Sequence, residues 1–368
     1  MDEQAGRRAS GPADVYRLLQ RHLDDQAVGF PAARSGADLR FLASLFTPGE
    51  ARVALRLTYR PAPQDGILAA AAPEFTAERA LDLLESAFRK GAIGWKLKDG
   101  QSHWYLMPVV IGIYEAQDGE PARGFLEAAG AYMRTREYRR SFAAVRPSQM
   151  RTIPIGLSIS APRHVATYDD IRSLVAGSKG PLVILPCICR EESRLDGKPC
   201  RRTSRLETCL AMGGMASSIL RRGHGREITA DEALEILRRN EEDGLVLQPA
   251  NERQPEFVCS CCGCCCGMLG FQKALPNPAD LWATNHLAMV DASACTGCGL
   301  CVDRCQVDAV SLTGDGGPAA VDIKRCIGCG LCVPTCPSRA ITLARKEEET
   351  VPPKDEEELY DLVKENRG

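Results

Sequence analysis

Eighteen cysteines stand in this chain of 368 residues, and none precedes Cys187. Eight of them form two runs of one spacing, Cys295-x2-Cys298-x2-Cys301-x3-Cys305 and Cys326-x2-Cys329-x2-Cys332-x3-Cys336. Thiolates at such short intervals, with small residues between them, let a loop wrap a cube of four irons and four sulfides. In runs of this kind the ligation crosses, the fourth cysteine of each run serving the other cluster. Cys295, Cys298, Cys301 and Cys336 are therefore expected to hold one 4Fe-4S cluster. Cys326, Cys329, Cys332 and Cys305 are expected to hold the second. Zinc and disulfides are the other fates of clustered thiols, but zinc sites use paired C-x2-C knuckles rather than four-cysteine runs.

The runs also agree outside the cysteines at one offset. Val290-Asp291 matches Val321-Asp322, Gly297 matches Gly328, Gly299-Leu300 matches Gly330-Leu331, and Ala309-Val310 matches Ala340-Ile341. This is an internal duplication. Residues 285–345 closely resemble the bacterial two-cluster ferredoxins. The resemblance implies two βαβ-like halves, with a cluster at each end of a small pseudo-symmetric core. One position departs from the pattern: Cys336 is followed by Pro337, but Cys305 is followed by Gln306. Proline fixes the backbone and withholds an N–H. Glutamine restores a donor there, so the departure bears on the second cluster's potential rather than its presence.

The remaining ten cysteines fall in two segments. One is Cys187-x-Cys189-x10-Cys200-x8-Cys209, a complete set of four thiols. The other packs Cys259, Cys261, Cys262, Cys264, Cys265 and Cys266 into eight residues, too closely for one site to use all six. Either each segment holds its own centre, or ligands from the two mix. One or two further 4Fe-4S clusters are expected here, with zinc as the alternative. Cys187-x-Cys189-Arg190 followed by two spaced cysteines resembles a segment of multi-cluster iron–sulfur proteins of anaerobes, which implies electron transfer. Cys261-Cys262-Gly263 is similar to the cysteine-rich motif of heterodisulfide reductases. Arg190, Arg201, Arg202 and Arg205 flank the thiols, and positive charge favours thiolate and raises a cluster's reduction potential. The histidines lie away from these runs, so all-thiolate sites are expected.

The elements that must position these cysteines are legible in part. The fold class expected is α+β, in five segments: a winged-helix-like domain over 1–118, a helical connector over 119–180, a cysteine-rich metal-binding domain over 181–284, the ferredoxin-like (βαβ)2 dicluster over 285–345, and a charged tail over 346–368. Residues 1–15 read as frayed, and Asp14–Asp24 as an amphipathic helix. Thr47-Pro48 marks a helix start. Thr76 caps a helix to about Lys90 with Ala80, Leu81, Leu84 and Phe88 inward. Two strands follow, joined at Asp99-Gly100, a hairpin signal. A second copy of this helix start lies at Thr229–Leu237, where Thr229 and Glu232 suit a capping box. Glu120–Phe142 reads as one helix ending in a basic stretch, Arg134, Arg136, Arg139, Arg140, Arg146 and Arg151, with Tyr138 and Phe142 interleaved. A solvated face is the simpler account of it. In the tail Leu359, Leu362 and Val363 make a small apolar stripe, with fraying the default.

Net charge is −2 with 26% charged residues, which gives no global bias toward nucleic acid. The helix 76–90 is near neutral outward (Glu78, Asp82, Glu85 against Arg79, Arg89, Lys90), where a DNA-reading helix shows a basic excess. No leader peptide and no apolar run of membrane-spanning length is seen, and free thiols in such runs suit a reducing cytoplasm. No phosphate-binding or dinucleotide motif is present. The expected function is therefore a soluble carrier of single electrons between redox partner proteins, or an electron-transfer subunit, rather than a catalytic subunit. The alternatives are an iron–sulfur sensor binding DNA through the winged-helix unit, and a subunit with an active cluster at Cys259–Cys266.

Overall fold

The computed structural model describes residues 12–117, 123–159 and 166–367. Helices and strands mix in an α+β chain. It divides into two compact units, residues 1–145 with 364–368, and residues 146–363.

In the first unit, Thr47 starts the helix Pro48–Ala54 with a full capping box. Its hydroxyl accepts the Glu50 N–H at 3.3 Å, and Glu50 accepts the Thr47 N–H at 2.7 Å. Glu50 is buried and also accepts from Ser86 (2.7 Å) and the Lys90 ammonium (2.5 Å). Burial acts to raise its carboxyl, but these hydrogen bonds and the Lys90 charge outweigh it and hold it below the ordinary range. Thr47→Ala is expected to lower this unit's unfolding free energy by about 1 kcal/mol in urea titration, with metal content unchanged. An unmoved midpoint would refute the cap's role.

Helix Ala77–Arg89 is capped by Thr76 as expected, and buries Ala80, Leu83, Leu84, Ala87 and Phe88. Leu84 is inward as expected, but Leu83 is buried in place of Leu81, two positions along the helix. Strand β1 (Ala62–Pro63), β2 (Gly94–Lys98) and β3 (Gln101–Tyr105) form an antiparallel sheet in the order β1-β3-β2. Asp99 and Gly100 turn the hairpin with φ of 52° and 75°, the paired positive φ of the turn that matches strand twist. Trp104 is fully buried and meets Phe88 edge-on at 5.8 Å.

The expected helix 120–142 is instead two, Arg123–Met133 and Arg136–Ala143. Thr135 breaks it, its hydroxyl accepting the Tyr138 N–H to cap the second piece. Tyr138 and Phe142 are not surface aromatics: both are buried, and Tyr138 packs on Tyr132 at 5.1 Å. Residues 1–11 and 118–122 lie outside the described residues. The tail is not frayed. Glu356–Arg367 is helical with Leu359, Tyr360 and Val363 buried. Within the first unit Arg367 donates to the carbonyls of Asp24 (2.9 Å) and Gln26 (2.7 Å), closing the end of helix Pro12–Asp24.

The second unit is built on an antiparallel sheet of five strands. β4 (Leu182–Pro186), β5 (Glu207–Met212), β6 (Arg226–Ile228), β7 (Val246–Pro249) and β8 (Phe257–Cys261) lie in the order β6-β4-β5-β8-β7. Helix Ala230–Glu242 packs on it, and its buried Asn240 donates to the Thr208 carbonyl (3.0 Å) and Ser260 hydroxyl (2.8 Å). Thr229 caps this helix, but Glu232 turns to Arg226 instead of completing the box. Two short antiparallel pairs complete the unit: β9 (His286–Val290) with β12 (Ile341–Arg345), and β10 (Val310–Leu312) with β11 (Ala319–Val321). One apolar core runs from the sheet (Ile184, Leu210, Val258) into these pairs (Ala288, Val310, Ile341). Arg151 leaves the expected basic surface altogether. It is buried, paired with Asp169 at 3.7 Å and donating to the Ala250 carbonyl at 2.9 Å.

Candidate metal centres

The duplicated runs are held by backbone donors that repeat at the offset of the sequence repeat. Ala309 N–H donates to Cys305 Sγ (3.2 Å), and Ala340 N–H donates to Cys336 Sγ (3.3 Å). Across the halves, Ala319 N–H donates to Cys295 Sγ (3.3 Å) and Ala288 N–H to Cys326 Sγ (3.5 Å). Each half thus supplies a donor to the other half's first cysteine. Such bonds favour thiolate and tune a bound cluster. At Cys336, burial acts to raise the thiol, yet bonds from Ser338 and the Ala340 and Ile341 N–H groups hold it below the ordinary range.

Cys329 feels the charges of Cys332, Cys305 and Cys326, and Cys332 those of Cys326, Cys305 and Cys301. Cys301 feels those of Cys295 and Cys298. The loops require glycine. Gly297 and Gly328 have φ of 66° and 64°, and a Cβ on either would lie 2.2 Å from the carbonyl oxygen of Gly316 or His286. The donor set is all sulfur with backbone N–H groups aimed at it, which fits an iron–sulfur cluster.

In the middle region the structure draws sulfurs from both segments. Cys187 follows β4 and precedes helix Ile188–Leu195, which carries Cys189. Cys209 lies on β5, next to β8 with Cys259 and Cys261. Cys266 begins helix Gly267–Lys273. These six form a closed ring in which each thiol acts on the next: Cys187 on Cys189, Cys189 on Cys266, Cys266 on Cys261, Cys261 on Cys259, Cys259 on Cys209, and Cys209 back on Cys187.

The other four form a tight quartet. Cys200 comes from the loop before β5, and Cys262, Cys264 and Cys265 from the turn after β8. Their sulfur atoms all lie within 4.8 Å of one another. Burial acts against the Cys200 thiolate, but the N–H groups of Arg202 and Thr203 and the thiols of Cys262 and Cys264 bring it down to about 7. Burial pushes Cys262 up to about 11.

Arg190 lies among these thiols with only 2% of its surface exposed. Its guanidinium donates to the Thr208 hydroxyl and, at 2.5 Å, to the Ser260 carbonyl, while its Nε has no partner. Among the described residues no carboxylate pairs with it. The charges it feels are those of Cys187 and Cys209 in the ring, then Cys262 and Cys261. Of the other flanking arginines, Arg205 pairs with Asp243 at 2.6 Å and Arg202 donates to the Asp303 carbonyl at 2.5 Å. Gln306 accepts the N–H of Gly263, in the quartet's turn, at 2.8 Å.

Sequence reasoning did not divide the six clustered cysteines three and three. The signal was there: Cys259-Ser260-Cys261 alternates like a strand, which puts two thiols on one face and Ser260 on the other.

Residues 287–337 match the 4Fe-4S dicluster domain family. No curated protein matches the chain.

Proposed function

We propose that this protein relays single electrons between redox partner proteins. In this reading two 4Fe-4S clusters sit in the duplicated runs with crossed ligands: Cys295, Cys298, Cys301 and Cys336 for one, Cys326, Cys329, Cys332 and Cys305 for the other. A further cluster takes its ligands from the ring of Cys187, Cys189, Cys209, Cys259, Cys261 and Cys266. The observation that carries the reading is the dicluster match at 287–337 together with the repeated N–H···S bonds on its cysteines. The clusters would supply reversible one-electron chemistry. The chain's own part is to stabilise added negative charge: backbone N–H groups point at the sulfurs, and Arg190 places a buried cation beside the ring. Among the described residues no helix is long and apolar enough to cross a membrane.

The test is iron and acid-labile sulfide analysis of anaerobically purified full-length protein, with EPR after reduction. At least about eight irons and eight sulfides per chain are expected. Protein reconstituted with iron and sulfide that still binds only zinc would overturn the reading.

A second reading has one observation in its favour. The strand order β1-β3-β2, with two helices between β1 and β2, supports a winged-helix domain over 1–118. Such a domain could read DNA or dock a protein. The helix Ala77–Arg89 is poor in free positive charge, and Lys90 beyond it is engaged by Glu50. A redox-dependent, sequence-specific gel shift lost on changing Arg79 and Arg89 would favour a sensor over a relay.

A further inference from the structure

The sulfur–sulfur distances of the quartet identify what it can hold. In the quartet Cys200 Sγ stands 3.6 Å from Cys262 Sγ and 3.7 Å from Cys264 Sγ. Cys264 Sγ stands 3.6 Å from Cys262 Sγ and 3.7 Å from Cys265 Sγ. A tetrahedron of sulfurs around zinc, with a metal–sulfur bond of ~2.3 Å, has an edge of ~3.8 Å. A four-iron cube interposes irons and the cube's own edge between its ligands, so its thiolates must spread well beyond sulfur–sulfur contact.

The same molecule provides the comparison. Among the described residues, the quartet is the only set of three or more His, Cys, Asp or Glu donors lying within 4.8 Å of one another. No three of the eight dicluster cysteines, and no three of the six ring thiols, lie mutually that close. We infer that Cys200, Cys262, Cys264 and Cys265 hold one zinc ion in a closed structural site, separate from the iron–sulfur centres. This rests on the reading that the other cysteines hold iron–sulfur clusters.

The surroundings are those of a fixed site. All four positions of a tetrahedron are filled by protein sulfur, which leaves none open for a substrate. The Arg202 N–H donates to Cys200 Sγ at 3.4 Å, and the Arg202 guanidinium ties that loop to the Asp303 carbonyl. The turn carrying the other three is held by Gln306, which accepts the Gly263 N–H. A Cβ on Gly263 would lie 2.4 Å from the Gln306 carbonyl oxygen, so the chains are in close contact there. The ion would pin the arginine-rich loop before β5 to the turn after β8, two segments that share no ladder of hydrogen bonds.

The experiment uses the full-length chain, purified anaerobically, as wild type and as Cys200→Ser. Wild type is expected to carry about one zinc per chain beside its iron. Cys200→Ser should lose that zinc and keep its iron and sulfide. Cobalt exchanged into wild type should give the visible bands of a tetrahedral tetrathiolate, absent from the variant. Should the variant fail to fold, zinc-edge X-ray absorption of wild type decides: four sulfurs at ~2.3 Å support the site, and nitrogen or oxygen ligands overturn it. Loss of about four irons and four sulfides with Cys200→Ser would make the quartet a cluster. Loss of one iron without sulfide would make it a mononuclear iron site; both results overturn the inference. Wild type with zinc but no iron would instead sink the relay reading and leave the cobalt signature to stand.

Discussion

Cys332→Ala removes about four irons and four sulfides from the purified chain and leaves the other cluster of the duplicated runs in place. Cys332 is buried, and the charges around it are those of Cys326, then Cys305, from the other run. Alanine leaves three of the four thiols that this cube is assigned. The decisive comparison is Cys305→Ala. With crossed ligands it damages the same cluster as Cys332→Ala; with uncrossed ligands it damages the same cluster as Cys295→Ala. Iron and sulfide counts give the size of the loss. EPR of the reduced protein gives its identity, because two neighbouring spins broaden each other and a single remaining spin does not. Equal iron in wild type and Cys332→Ala would refute the assignment.

Arg190→Met is expected to destabilise the loaded protein more than the metal-free one. Loaded, the ring is anionic, and Arg190 is the cation buried beside it with no carboxylate among its partners. Removing one member of a buried charge pair costs about 3–5 kcal/mol, because the other is left uncompensated. The loaded variant should therefore unfold at lower denaturant, and its ring cluster should become harder to reduce. Metal-free, hydrogen bonds from Cys187 and Cys259 and the Arg190 charge hold the Cys209 thiol well below the ordinary range, so Arg190 keeps one anionic partner in the ring. There methionine, of similar length and apolar, should cost less than in the loaded protein, because a single thiolate that can take up a proton loses its partner. The measurement is urea unfolding of both proteins, loaded and after chelation. An equal loss in both states would make Arg190 a packing residue and nothing more.

The dicluster segment was legible because its chemistry is local. Eight cysteines, their spacing and the repeat at one offset all lie within a short stretch, and the backbone bonds to Cys305 and Cys336 come from four residues further on. The middle centres were not, because their ligands meet through the sheet. Cys209 comes beside Cys259 only once β5 pairs with β8, and Cys200 reaches the quartet from a loop with no regular structure to predict. Helix ends marked by threonine were readable at Thr47, Thr76 and Thr229, since a cap is chosen within three residues. The break at Thr135 shows the limit of the same signal: apolar periodicity carried across it and hid the cap. The burial of Arg151 was also out of reach, because Asp169 and the Ala250 carbonyl are distant in sequence.

In the proposed relay, Gln306 would set a direction. It follows Cys305, and its side chain ends in a hydrogen bond to Gly263, between Cys262 and Cys264. An electron tunnelling from the cluster that uses Cys305 toward the middle cysteines finds a path of covalent bonds interrupted by a single hydrogen bond rather than by open space. The equivalent position beyond Cys336 is Pro337, whose side chain has no polar atom with which to make such a bridge. The crossed assignment puts Cys336 with Cys298, the exposed member of the eight. In the proposed relay that cluster would be the port for an external partner, and the one using Cys305 the inner terminal. Gln306→Leu keeps the bulk and cuts the wire: electrons should still enter at the Cys298 side while exchange between dicluster and ring slows.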